Sequence, residues 1–200
     1  MKVPIFGLVL ISSLGSRIAY AADHNEADGT KSDHIADIDD VYAWHKADGN
    51  IVVAVTFGGP GADPVGVLGA LDSGVIYGVH IDTDADNVAN FDVWVRYGTN
   101  GLGATGVQFT GIPGGTAVVE GPTDMILDAG SGLSAIGGVF EDPFFFDFQG
   151  FQDTLASGAV MFQSTRDSFA GKNVNAIVFE MDGAALGSAT FKLWATSGRK

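Results

Sequence analysis

Asp82, Asp84 and Asp86 alternate along one short stretch of this chain, with Asn90 and Asp92 close behind. Carboxylates crowded this way repel one another unless a positive charge sits among them. Calcium, which accepts about six to eight oxygen ligands in a flexible geometry, suits such a set. The stretch departs from an EF-hand loop. Asn87 stands where that loop needs glycine, Val93 stands where it needs glutamate, and the flanking residues have strand character. The metal reading is therefore a β-loop calcium site formed by Asp82, Asp84 and Asp86 with Asn90 or Asp92. The alternative is an acidic, solvated hairpin turn, because Asp and Asn also suit turns unaided.

Other residues with chemical potential fall into weaker patterns. Asp37, Asp39 and Asp40 precede or open an apolar stretch and are expected in a solvated loop, with a second ligand set as the alternative. The four histidines, His24, His34, His45 and His80, match no metal-ligand spacing. Gly101, Gly103 and Gly106 fit the GxGxxG pattern. Val107 to Pro113 cannot open the helix whose N-terminus would hold a pyrophosphate, so the glycines read as a turn. Asp72-Ser73-Gly74 is similar to an aspartic-protease loop, but one copy supplies only one of the two carboxylates that must share a proton; a turn is the simpler reading. There is no GxSxG nucleophile elbow.

The elements that must position these residues are mostly strands. Runs at 38–44, 50–57, 74–81, 89–97, 107–110, 117–119, 139–148, 159–162, 174–181 and 189–195 are β-branched, aromatic or alternating. In 89–97, Phe91, Val93 and Val95 point one way and Asp92, Trp94 and Arg96 the other. Helical signals are short, over 123–129 and 152–157. On a strand, Phe144, Phe146 and Phe148 would share one face and belong to the core, with Phe145 the exception; an aromatic ligand platform is the alternative. Frequent turns and 29 glycines predict an all-β fold with a few short helices, a β-sandwich or jelly-roll-like single domain.

The start of the chain reads as a secretory signal over residues 1–21: Lys2, an apolar run from Val3 to Leu14, and Ala19-Tyr20-Ala21 as the cleavage pattern. The run is too short to span a bilayer. Residues 22–200 then form one β-rich domain, secreted or periplasmic, and no later apolar run is long enough to span a membrane. The formal net charge is −14, and all 24 acids lie beyond the leader. Such a surface repels phosphate backbones and attracts divalent cations, so nucleic acid is not an expected partner. The absence of cysteine rules out disulfides, thiolate zinc sites and cysteine nucleophiles.

Four blocks in order are similar to an exported bacterial domain-of-unknown-function family of the DUF4331 type. They are Ser32-Asp33-His34 with Ala36 to Trp44, the Asp82-Thr83-Asp84-Ala85-Asp86 segment, Asp142-Pro143-Phe144-Phe145-Phe146-Asp147, and Asp167 to Glu180. The resemblance implies an exported β-rich domain with no assigned reaction. The functional expectation is a non-catalytic module that binds calcium and an extracellular ligand, a glycan or a protein. A metal-dependent hydrolase using the acidic loop to activate water is the alternative. A haem- or sugar-binding sandwich, with a histidine or one of Met125, Met161 and Met181 as an axial ligand to haem, is a second.

Overall fold

The computed structural model describes residues 33–58 and 71–200. The expected signal peptide, residues 1–21, and His24 lie outside the described residues. The strands are β1 (Ile38–His45), β2 (Ile51–Phe57), β3 (Val75–Asp82), β4 (Phe91–Thr99), β5 (Thr105–Thr110), β6 (Val118–Pro122), β7 (Leu127–Gly130), β8 (Leu133–Glu141), β9 (Asn173–Met181) and β10 (Lys192–Arg199). One α-helix, α1 (Phe148–Ser157), separates β8 from β9, and short 3₁₀ turns lie at His34–Ala36 and Gly183–Leu186.

The strands make two five-stranded antiparallel sheets, ordered β1-β2-β9-β8-β7 and β10-β3-β4-β5-β6. They pack face to face as a β-sandwich. Alternation decides which side chains meet between them: Val75, Tyr77, Val79 and Ile81 of β3 and Val93, Val95 and Tyr97 of β4 are buried. Opposite lie Val53, Val55 and Phe57 of β2 and Ile177, Phe179 and Met181 of β9, likewise buried. Phe57 sits 4.3 Å from the Tyr77 ring and 5.9 Å from Tyr97, centroid to centroid. Burying each such side chain stabilises the fold by about 1.5–3 kcal/mol. β2 is buried at every position, which is why its sequence reads as a continuous apolar run rather than an alternating one. The Tyr77 hydroxyl donates to the Ile35 carbonyl, and the Ser197 hydroxyl donates to Ala36 at 2.5 Å, so the segment before β1 is tied across the open end of the core. Among the described residues no helix is long and apolar enough to cross a membrane.

Three local expectations are corrected. Residues 123–129 are not helical. Asp124 takes a left-handed φ of 61°, its N–H donates to Gly137 and its carboxylate accepts from the Val139 N–H at 3.0 Å. Pairing with β8 supplies more hydrogen bonds than an isolated short helix could keep. Residues 159–162 form no strand; they wrap α1, with the Met161 N–H donating to the Thr154 hydroxyl at 2.9 Å.

The strand expected over 139–148 ends at Glu141. Pro143 has no N–H to continue a ladder, and the Asp142 carboxylate accepts from the Phe144 N–H at 2.9 Å, closing a turn. Phe144 and Phe146 therefore leave the sandwich and build a small cluster of their own with Phe151, Phe162 and Phe169. Phe145 is 52 % exposed, as expected though not from a strand, and Phe148, expected in the core, starts α1 and is 40 % exposed. Asp147 organises this lobe. Its buried carboxylate caps α1 by accepting from the Gly150 N–H at 2.9 Å, accepts from the Gln163 N–H at 2.8 Å, and takes a two-pronged contact from Arg166 at 2.5 and 2.9 Å.

Candidate metal centre

β3 runs into the acidic loop and β4 leaves it, and the loop is held shut at both levels. The Asn90 N–H donates to the Ile81 carbonyl at 2.8 Å. The Asn90 side-chain oxygen accepts from the Thr83 N–H at 2.6 Å and from the Thr83 hydroxyl at 2.9 Å. Asp82, the last residue of β3, is fully buried. One of its oxygens accepts from the N–H groups of Asp84 and Ala85 at 3.1 and 2.7 Å, and the other accepts from Asn87 at 2.8 Å. Asp86 repeats the pattern on a smaller scale, accepting from the Val88 N–H at 2.7 Å.

These bonds curl the chain inward at Ala85 and Asn87, both left-handed at φ 67° and 68°. Asn tolerates that conformation; for Ala it is held against a steric preference by its neighbours. The result is that one oxygen from each of Asp82, Asp84 and Asp86 lies within 4.8 Å of the others. Asp84 and Asp86 are exposed. The recess beside the loop, bordered by Asp82, Asp84, Phe191 and Lys192, measures about 330 Å³. Three hard oxygens in this arrangement could hold a metal ion.

A positive group already stands at the edge of the cluster. The Lys192 ammonium donates to the Asn87 side-chain oxygen at 2.7 Å and to the Ala85 carbonyl at 3.0 Å, and lies 3.5 Å from Asp82. Burial by itself would raise the Asp82 pKa. The Asn87, Ala85 and Asp84 N–H groups, aided by Lys192, outweigh burial and hold the carboxyl below its ordinary value. Asp82 is thus ionised throughout the neutral range.

Of the five residues expected at the site, Asp82, Asp84 and Asp86 converge. Asn90 braces the loop from behind. Asp92 turns to the outer face of the sheet, where its carboxylate meets His80 Nδ1 at 2.6 Å. Asp37 and Asp39 are buried rather than solvated: Asp39 lies within β1, and Asp37, just before it, is tied to the end of β2 by the Gly58 N–H donating to its carbonyl at 2.9 Å. Among the described residues only the 82–84–86 set gathers as metal ligands do. Asp72 makes a turn, accepting from the Gly74 N–H at 2.7 Å and pairing with Arg199 at 2.6 Å. Asn100 closes the glycine turn by accepting from the Leu102 and Ala104 N–H groups, both at 2.9 Å. Met181 is in the sandwich core, whereas Met125 and Met161 are exposed.

Lys192 was not legible as part of the site, since 105 residues separate it from Asn87 and only the β10–β3 pairing brings it there. No family model matches the chain, and neither curated proteins nor solved structures give a match.

Proposed function

We propose that this protein is a non-catalytic, exported β-sandwich binding module of the DUF4331 type whose 82–86 loop holds calcium. The convergence of the three aspartate oxygens carries the reading. Calcium–oxygen distances of about 2.3–2.6 Å let one ion touch oxygens up to 4.8 Å apart. Only oxygen is offered, which suits a hard cation and not a soft one, and the acidity of the chain concentrates divalent cations near it. The leader-like residues 1–21 fit a compartment in which calcium is abundant.

Calorimetric titration and thermal melting test this. Extracellular calcium sites commonly bind at about 10⁻⁴–10⁻³ M, so about 10 mM calcium stabilises by roughly 1.4–2.7 kcal/mol. For a domain of this size that is a rise in melting temperature of about 3–10 °C over the chelator-treated protein. Asp84→Ala, which removes an exposed ligand and little else, loses the rise. A flat melting curve across millimolar calcium would overturn the assignment.

Lys192 shares Asp82 with the ion, so the two compete for the same charge. Lys192→Gln is expected to melt lower than wild type in chelator and to gain about 2–4 °C more from calcium. Equal calcium gains in the two proteins would show that the lysine and the ion do not meet.

A further inference from the structure

We propose that the outward face of the β10-β3-β4-β5-β6 sheet is a saccharide-binding cleft that takes a short oligosaccharide carrying a carboxylate. It rests on the reading of the chain as a binding module, though not on calcium at the 82–86 loop.

Cross-strand register assembles the face from distant residues. Trp194 pairs with His80 and His80 with Asp92; one step along, Gly78 pairs with Trp94; one step further, Arg96 pairs with Gln108 and Gln108 with Glu120. The alternation that buries Val93, Val95 and Tyr97 turns Trp94 and Arg96 outward. A tryptophan on the solvent side of a strand costs exposed apolar surface, and here it is held in place. A Cβ at Gly78 would stand 2.7 Å from the Trp94 ring and 2.9 Å from His80 Nε2, so only glycine lets both rings reach across β3. His80 is itself immobilised. Asp92 binds Nδ1 at 2.6 Å, Thr196 meets Nε2 at 2.8 Å, and the Trp194 ring stacks on it at 5.4 Å and 26°. Trp94 meets the imidazole edge-on at 5.4 Å and is still 36 % exposed.

From Arg96, two residues along β4 from Trp94 and on the same outward face, the sheet becomes a cleft of about 550 Å³ whose lining includes Arg96, Gln108 and Glu120, within the about 300–1,000 Å³ of small-molecule sites. Gly98 and Gly106, paired across β4 and β5, leave its floor without side chains. The polar groups are paired in a way that leaves one charge over. Gln108 donates its amide N–H to Glu120 at 2.7 Å. Of the three arginines among the described residues, Arg166 is paired with Asp147 and Arg199 with Asp33 and Asp72, while Arg96 has no ion pair. An exposed guanidinium without a carboxylate, on a chain so rich in carboxylates, is the complement of an acid on the ligand.

The chemistry assigns the parts. The C–H face of a sugar ring packs on the negative face of the Trp94 indole. The ligand carboxylate takes the two-pronged contact from Arg96. Hydroxyl groups donate to the Gln108 amide oxygen and the Glu120 carboxylate. With Glu120 and Asp92 also on this face, Arg96 can offset one negative charge on the ligand, which fits a single carboxylate and not a polyphosphate.

The test is titration of the full chain with a uronic-acid tetrasaccharide and with a neutral tetrasaccharide of matched length. It is run in calcium-free buffer, because uronates bind calcium themselves. The acidic tetrasaccharide is expected to bind and quench tryptophan fluorescence, and the neutral one to bind at least about tenfold more weakly. Arg96→Ala and Trp94→Ala each weaken the acidic ligand by about tenfold or more, and Arg96→Lys recovers part of the loss. Gly78→Val, which displaces the Trp94 ring, weakens it too. Arg96 is exposed, so its variant reads binding and not folding even where Trp94→Ala is unstable. Lack of binding to the acidic probe, or binding that Arg96→Ala leaves unchanged, overturns the proposal; so does occupation of this face by a protein partner alone. A missing saccharide signal beside an intact calcium-induced melting shift would remove this inference and leave the calcium reading standing.

Discussion

Replacing Asp82 by Ala is expected to lower the melting temperature in chelator by about 10 °C and to abolish any gain from calcium. The first effect comes from the backbone. Asp82 is buried, and its two oxygens accept from the N–H groups of Asp84, Ala85 and Asn87. Without it these donors lose their partner and Lys192 loses its closest carboxylate. Ala85 and Asn87 have then no reason to keep left-handed backbones. The second effect follows because Asp84 and Asp86 alone are exposed acids on an uncurled loop. Asp82→Asn separates the two. Its oxygen still accepts from Asp84 and Ala85, but its NH₂ group faces the Asn87 N–H and the Lys192 ammonium, donor against donor. It should melt between wild type and the alanine variant and show no calcium gain. An alanine variant that melts within about 2 °C of wild type would remove both the loop argument and the calcium site.

Acid is expected to open the lobe around α1 before it opens the sandwich. The Arg166 guanidinium lowers the Asp147 pKa, and although burial opposes it, the N–H groups of Gly150 and Gln163 add to the lowering and bring the carboxyl down to about 2. The unfolded chain keeps the ordinary value of 3.8. As pH falls, the unfolded form therefore takes up the proton first. The stabilisation is complete above about pH 4 and is lost between about pH 4 and pH 2. Hydrogen exchange should show protection of the α1 amides falling through that window while β9 and β3 stay protected. Asp147→Asn should show the same loss already at neutral pH and little further change in acid. Arg166→Ala leaves a buried carboxylate without its guanidinium and is expected to lower the melting temperature by about 5–10 °C. Simultaneous loss of protection in α1 and β9 would instead mean that the lobe and sandwich unfold as one unit.

Much of the fold was open to sequence reasoning because strand signals are local. The alternation of Phe91 to Arg96 told inside from outside, and β2, β3, β4 and β9 lie within two residues of where β-branched runs put them. The Asp82–Asp84–Asp86 spacing was visible for the same reason, since those side chains meet within one hairpin. The failures share a cause as well. Phe144, Phe146 and Phe148 keep strand spacing, yet Pro143 and the Asp147 cap take them out of the sheet. Thr123 to Ala129 begins like a helix, yet β8 recruits Asp124.

What the chain determined by itself, then, is its β class, its inner and outer faces, its acidity and the one loop where carboxylates crowd. Periodicity and spacing carry that much because they act between near neighbours. Tertiary pairing alone decided that Lys192 stands among the aspartates, that Asp37 and Asp39 are buried, and that residues 80, 94 and 194 share one outer face. The place of Lys192 and the shared outer face depend on the register of β10 against β3 and of β3 against β4, and a shift of one residue there would turn those side chains to the opposite face. The burial of Asp39 depends instead on the pairing of β1 with β2.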